Sequence, residues 1–387
     1  MGWLKLLVAG TAAAFVASAP ALALGAPGTI IEHWGAYGTG GQAFDTQTSP
    51  VPLTLPGQVK QIGSSNSTQY ALLTNGQVWA WGNGTQGELG DGGTVNSYTT
   101  PVQVQFPAGV TIASIPADVD PYDSAFAVDT TGHVWAWGDN GGGEFCQGNA
   151  QMHLTPVELS FTDVTTLAGA ADHATYDSGG TIYSCGTNNY GELGDGSTTP
   201  SMTPVKVTGL DDALVTTLVA AWGDTGALLS NGDYYDWGYD GGGQVGNSGT
   251  TSVTTPFQVP LDAAVTQVAQ GGSVGSNGQS LAMLTGGTLW AWGNGESYQL
   301  GNGAKGNEES PVQITPPQGV TYVALATGGA TSYGITKHGG VWAWGYNVDG
   351  EVGNGTTKTA KEPVKVATDA TQVSATARDV VIATTNS

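Results

Sequence analysis

One short pattern, aromatic-x-aromatic-Gly, recurs along the chain at intervals of 47 to 56 residues. Its clearest copies are Trp79-Ala80-Trp81-Gly82, Trp135-Ala136-Trp137-Gly138, Trp290-Ala291-Trp292-Gly293 and Trp342-Ala343-Trp344-Gly345. Degenerate copies are Tyr183-Ser184-Cys185-Gly186, Tyr235-Asp236-Trp237-Gly238 and Glu32-His33-Trp34-Gly35. Residues two apart share one face of a strand, so each copy predicts a strand with both rings on one side. A period near fifty is the length of one multi-stranded blade. Such a unit cannot bury its faces alone and needs its neighbours.

Two further signals keep fixed distances from the motif. A turn follows each copy, as in Gly87-Glu88-Leu89-Gly90-Asp91-Gly92, Gly191-Glu192-Leu193-Gly194-Asp195-Gly196 and Gly350-Glu351-Val352-Gly353-Asn354-Gly355. Gly143-Glu144-Phe145-Cys146 breaks it, with Cys where Gly stands elsewhere. Next comes Pro and an alternating apolar stretch such as Pro204-Val205-Lys206-Val207, 19 residues after the motif in five copies. The rest of the unit, from Pro to the next motif, varies between 29 and 36 residues. It is expected to hold an inner strand, such as Tyr70-Ala71-Leu72-Leu73 or Ser280-Leu281-Ala282-Met283. The chain ends on such a strand, Val380-Val381-Ile382-Ala383, with no motif after it, and starts on a motif with no such strand before it. The segment after Pro363 and the one from residue 24 to Trp34 together fall inside the same 29–36 range. Seven motifs therefore predict an all-β, seven-bladed β-propeller, closed by pairing N- and C-terminal strands in one shared blade. Closure removes exposed sheet edges.

The set Gly-x-Val-Trp-x-Trp-Gly, Gly-Glu/Gln-Leu-Gly-x-Gly and Pro-x-x-Val resembles the repeats of the regulator of chromosome condensation family, over essentially all of residues 24–387. The resemblance implies the seven-bladed propeller. It says little about activity, because a fold hosts many functions.

Residues 1–23 read as a secretory signal. Lys5 is the positive n-region, Leu6 to Ala19 the apolar stretch, and Ala21-Leu22-Ala23 an A-x-A cleavage site. Residues 24–387 are then one exported propeller domain, secreted or held at the cell surface, with no membrane insertion after cleavage. In an oxidising setting Cys146 and Cys185 are candidates for a disulfide, with two separate buried thiols as the alternative.

Composition narrows the function. The chain carries 31 acidic and 9 basic residues, net −22. That excludes nucleic acid and anionic membrane surfaces as partners, since both need clustered Lys and Arg. With 62 Gly and 18 Pro among 387 residues, and only 10% charged, a helical bundle is excluded as well.

Candidate sites fall into three groups. Trp34, Trp81, Trp137, Trp237, Trp292 and Trp344 are expected as the structural repeat core, packing blade against blade. The turn residues Glu88, Asp91, Glu192, Asp195, Glu351 and Asn354 are expected to serve turn chemistry. Binding is expected on the connections that vary in length, with Trp222, Asp224, Asp118, Asp120, Tyr122 and Asp123 as loop candidates. Asp118, Asp120 and Asp123 also form a candidate Ca²⁺ cluster, three carboxylates within six residues; no other cofactor is expected. The five histidines show no metal-ligand spacing, and His173 reads as structural. No catalytic constellation is visible. The sequence thus points to a monomeric binding propeller, a protein–protein scaffold with a protein or cell-envelope partner. Alternatives are an inhibitor of a secreted enzyme such as a β-lactamase, a propeller enzyme, or a guanine-nucleotide exchange factor of the family's founding type.

Overall fold

The computed structural model describes residues 30–37, 45–116, 123–170, 172–211, 213–272 and 278–384. The signal segment lies outside them, as do Asp118, Asp120 and Tyr122. The described residues form seven antiparallel sheets of four strands each, and no helix. Blade 2 shows the plan. From the axis outward it has Val59–Ser64, Thr68–Leu73, the motif strand Val78–Gly82 and the proline strand Ser97–Gln103. Blades 3 to 7 repeat it in chain order.

Blade 1 is the shared one. Its two outer strands, Asp45–Thr54 and Ile30–Tyr37, come from the N-terminal end; the two inner ones, Asp379–Thr384 and Ala370–Ala375, come from the C-terminal end. The seam is an antiparallel ladder running from Ile31 opposite Ala383 to Gly35 opposite Asp379. The expected closure is therefore the one observed.

The position of the inner strands needs a correction. Tyr70–Leu73 and Ser280–Met283 lie on the second strand of their blades, not the innermost. The strands at the axis come one step earlier in the chain. Val164–Gly169, Val215–Ala221, Val265–Gly271, Tyr322–Thr327, Ala370–Ala375 and Val59–Ser64 pack side by side in that order around it. These segments lack an aromatic motif, which is why the sequence hides them. Each carries a β-bulge, and the residue just after the bulge often clamps the next blade. The amide of Gln267 both donates to and accepts from the backbone of Leu325 (3.3 and 3.2 Å), and that of Gln61 does the same with Ile115. Gln372 accepts from Ile62 N (3.0 Å) and donates to the Lys60 carbonyl.

The outermost strands form the rim. Each contains a proline, at 50, 101, 156, 204, 256, 311 and 363. Proline lacks a backbone donor, which blunts an edge against pairing with another chain.

The six tryptophans at the motif's second aromatic position, Trp34, Trp81, Trp137, Trp237, Trp292 and Trp344, are at most 1% exposed, so they are interblade core and not a surface platform. In five of them the indole N–H donates across the blade junction to one carbonyl in the preceding blade's turn. The pairs are Trp137 to Glu88 (2.8 Å), Trp237 to Glu192 (2.9 Å), Trp292 to Gln244 (2.7 Å), Trp344 to Gln299 (2.8 Å) and Trp34 to Glu351 (2.7 Å).

Candidate interaction face

Among the described residues, the antiparallel order of each blade sends two kinds of loop to the same face of the disc. One joins its first and second strands; the other is the Gly-Glu-Leu-Gly turn between the motif strand and the rim. The variable connections of the sequence are all of the first kind, so this face combines a constant set of turns with a variable set.

The turns hold themselves in shape. Asp91, Asp195 and Asn354 each accept from the backbone N–H two residues on, at Gly93 (2.9 Å), Ser197 (2.8 Å) and Thr356 (3.1 Å). Outside blade 3, the Glu or Gln of the turn is buried and folds back on its own loop. Glu88 accepts from Asn83 Nδ2 and Gln86 N (both 2.7 Å), Glu192 from Tyr190 N (2.7 Å), and Gln299 accepts from Ser297 N (2.8 Å) while donating to Asn294 (2.9 Å). Turn chemistry thus occupies these residues.

Blade 3 departs from the pattern. Asp139 stands where blade 2 has Asn83, so no side-chain amide answers Glu144 there, and its nearest donors are the backbone N–H groups of Gly142 and Glu144. Neither carboxylate oxygen of Glu144 makes a well-formed hydrogen bond among the described residues. Burial pushes its pKa up to about 8, and the charges of Asp139 and Asp172 add to the effect. Burial likewise raises Asp123, reinforced by the charge of Glu88 and by the hydrogen bond the two carboxyls share. Asp172, on the adjoining loop of blade 4, is raised by burial and then by Asp139. Five carboxyls from blades 2, 3 and 4 thus sit within electrostatic reach of one another.

At the next junction lies an aromatic cluster. Trp222 occupies the tight turn between Val215–Ala221 and Asp224–Leu229 of blade 5. It packs on Tyr190 from blade 4 (5.4 Å between centroids) and edge-on against Tyr239 (5.2 Å); the two tyrosines are 4.8 Å apart. All three are half-buried. Gly223 makes this possible, because a Cβ there would meet Tyr239 at 3.3 Å and Tyr190 at 3.4 Å. Other blades carry Gln86, Gly142, Gly242, Ser297 or Asp349 at the position of Tyr190.

The other loop candidates divide. Asp224, expected on an exposed loop, is corrected: it opens a strand and is 3% exposed. Asp123 is half-buried against Glu88. Two of the three Ca²⁺ candidates, Asp118 and Asp120, lie outside the described residues; among those described no group of three or more His, Cys, Asp or Glu could hold a metal. His173 is buried and accepts or donates at Nε2 to Thr225 Oγ1 (2.9 Å); burial lowers its pKa to about 4, so it is neutral near pH 7.

Sequence reading missed a second buried acid. Asp236 replaces the alanine of Trp-Ala-Trp-Gly and is fully buried. It accepts from Tyr234 OH (3.0 Å) and Gln270 Nε2 (2.7 Å), and burial raises its pKa well above the usual range. The signal was present in the break of the motif. Its partner change is Gly226, directly opposite across the ladder, where a Cβ would lie 2.1 Å from the Tyr234 hydroxyl.

Fold and face define a closed seven-bladed repeat propeller. Four segments, residues 75–117, 179–228, 286–333 and 338–381, match the regulator of chromosome condensation (RCC1) repeat, and the chain is an RCC1-repeat protein. It is 27% identical over 360 residues to the human E3 ubiquitin-protein ligase HERC2, covering 89% of this chain but only 7% of HERC2. It is 26% identical over 341 residues to the ultraviolet-B receptor UVR8 of Arabidopsis thaliana, covering 85% of this chain and 75% of UVR8. Among solved structures, Prp20p of Saccharomyces cerevisiae superposes with a TM-score of 0.79 at 19% identity, over 94% of this chain and 93% of that one. Human WBSCR16 gives 0.78 at 18% identity, over 92% and 99%. At such identities the structural likeness establishes the fold.

Proposed function

We propose that the chain is a protein-interaction scaffold without catalysis of its own, exported by its N-terminal segment and working outside the cell or at its surface. The observation that carries this reading is the Tyr190–Trp222–Tyr239 cluster. Three large rings from the loops of two blades are gathered half-buried at one junction, outside the repeat motif, whose second-position tryptophans are spent in the core. Tyrosine and tryptophan with one face dry and one face wet are typical anchors of protein interfaces. The relatives give general support: the structural report on Prp20p names its binding to Gsp1p and to histones.

The test is capture by the immobilised chain from the producing cell's envelope and culture fluid, in parallel with Trp222→Ala. A saturable protein partner held by the wild type and lost by the variant supports the reading. A partner held equally by both removes the cluster from it.

A further inference from the structure

The proposal concerns what this face takes, and it rests on the scaffold reading. Charge is distributed unevenly around the disc. Between residues 61 and 304 the sequence holds 22 acidic residues and one basic residue, Lys206. That lysine pairs with Asp211 beyond the rim strand of blade 4. Lys60 of blade 2 lies at the far end of its strand and donates to the Ala113 carbonyl (2.6 Å). On the loop face, blades 2 to 5 therefore present carboxyls and no cation of their own.

Within that arc the carboxyls of Asp123, Asp139 and Asp172 are only half-buried, and the charge of Asp139 adds to the rise that burial gives Asp123 and Asp172. Glu144 beside them is completely buried, and neither of its oxygens makes a well-formed hydrogen bond; the backbone N–H groups of Gly142 and Glu144 are its nearest donors. A buried carboxyl without a well-formed hydrogen bond is costly and is relieved by any donor brought to it. The arc ends on the Trp222 cluster, whose ring faces suit a planar cation. Carboxylates and aromatic faces in succession match one side chain best. Guanidinium pairs with carboxylates in a fork and stacks on rings, whereas ammonium is a strongly hydrated point charge.

We propose that the loop face from blade 2 to blade 5 docks an arginine-rich, extended segment of a partner protein. Its guanidinium groups pair with Asp123, Asp139 and Asp172 and stack on the Tyr190–Trp222–Tyr239 cluster. Because a chain this acidic attracts any cation, location and chemistry must be read separately from affinity.

The experiment is calorimetric titration of the full chain with an Arg-Gly repeat peptide and with its Lys-Gly counterpart. Two triple variants each replace three carboxyls by amides. Asp123→Asn/Asp139→Asn/Asp172→Asn acts on the loop face. Asp163→Asn/Asp211→Asn/Asp262→Asn acts on exposed connections at the opposite face. Each variant is first matched to wild type by its melting transition, and Glu144→Gln is a second single-site probe should the face triple fail to fold. The Arg peptide is expected to lose roughly tenfold or more in affinity with the face triple and little with the opposite one. Trp222→Ala should cost about threefold to tenfold. The Lys peptide should bind more weakly throughout and be indifferent to Trp222.

Equal losses in the two triples, or equal binding of the two peptides, would overturn the proposal. If the Arg peptide fails to bind while Trp222→Ala still abolishes partner capture, the scaffold reading stands and the arginine-rich partner falls.

Discussion

Cys146 and Cys185 form a disulfide, Cα atoms 5.5 Å apart, at the one blade junction where the repeat would have placed a glycine against a tryptophan. At the other junctions the glycine faces the next blade's indole so closely that a Cβ would sit 2.9 Å from Trp137 at Gly90, 2.7 Å from Trp237 at Gly194 and 2.6 Å from Trp344 at Gly301. Cys146 keeps the left-handed backbone of those glycines, with φ 59°. The sulfur of Cys185 lies 3.3 Å from the Glu144 carbonyl, the oxygen an indole would have reached. Both halves of a packing pair have changed together, and a covalent link joins blades 3 and 4 in place of a ring and a hydrogen bond.

The bridge closes a loop across 39 positions, which the chain-entropy model values at about 4 kcal/mol. Cys146→Ser/Cys185→Ser should therefore melt well below wild type, and a reducing agent should reproduce most of the drop. Cys146→Gly/Cys185→Trp restores the repeat's own pair and should recover a large part of the loss under reducing conditions. Scanning calorimetry of the three proteins decides it. A restored pair no better than the serine pair would show that the junction is not built as the others are.

Gly194 has φ +67° and touches Trp237, whereas Gly209 has φ +82° and nothing within 4 Å of a Cβ. Alanine at Gly209 should cost only backbone strain, about 1 kcal/mol. At Gly194 it should cost that plus displacement of a buried indole and its hydrogen bond, about 3 kcal/mol or more. Chemical denaturation measures the difference directly; similar losses would mean that the turn, not the ring, fixes this glycine.

The repeat made blade number and closure legible, because a motif that must share its core with a neighbour announces both its length and its need for a partner. What stayed hidden lacked that redundancy. The axial strands carry no repeated aromatic motif; they are held by bulges and by clamps such as Gln267 on Leu325, which composition does not reveal. Trp222 could be singled out because it breaks the spacing. Tyr190 and Tyr239, its partners, sit inside ordinary turns and become visible only when blades 4 and 5 are set side by side. Asp224 misled for a related reason: a residue next to a variable turn can already belong to the strand.

Blade 1 owes its inner half to the last strands of the chain. A version ending before Ala370 would lose Ala370–Ala375 and Asp379–Thr384 and bare the paired edge of Ile30–Tyr37 together with Trp34. It should lose its cooperative melting transition and associate through the open edge. Light scattering after size exclusion would show this, and a monomer with an unchanged transition would contradict the seam.

Stability should rise as the solution is made mildly acidic. Glu144 titrates near 8 in the folded chain and near 4.5 when unfolded, and Glu351 near 7. A carboxyl raised by folding binds its proton more tightly in the native state. The stability it provides is complete below about 4.5 and is lost as pH rises through the folded value, with a slope of about 1.4 kcal/mol per pH unit for one buried group. His33 and His173 act in the opposite sense. Both are lowered by burial to about 4, so their contribution is lost as pH falls from 6.5 towards 4. The two effects place the optimum between about pH 5 and 6.5. Glu144→Gln separates them, since blades 5 and 6 already carry Gln244 and Gln299 at that position. The variant should be more stable than wild type at pH 8 by about 1 kcal/mol or more, and should differ little at pH 5. Melting temperatures of both proteins across that range test the sign; a wild type that gains stability from pH 6.5 to 8 would mean that Glu144 is ionised and paired in the folded chain.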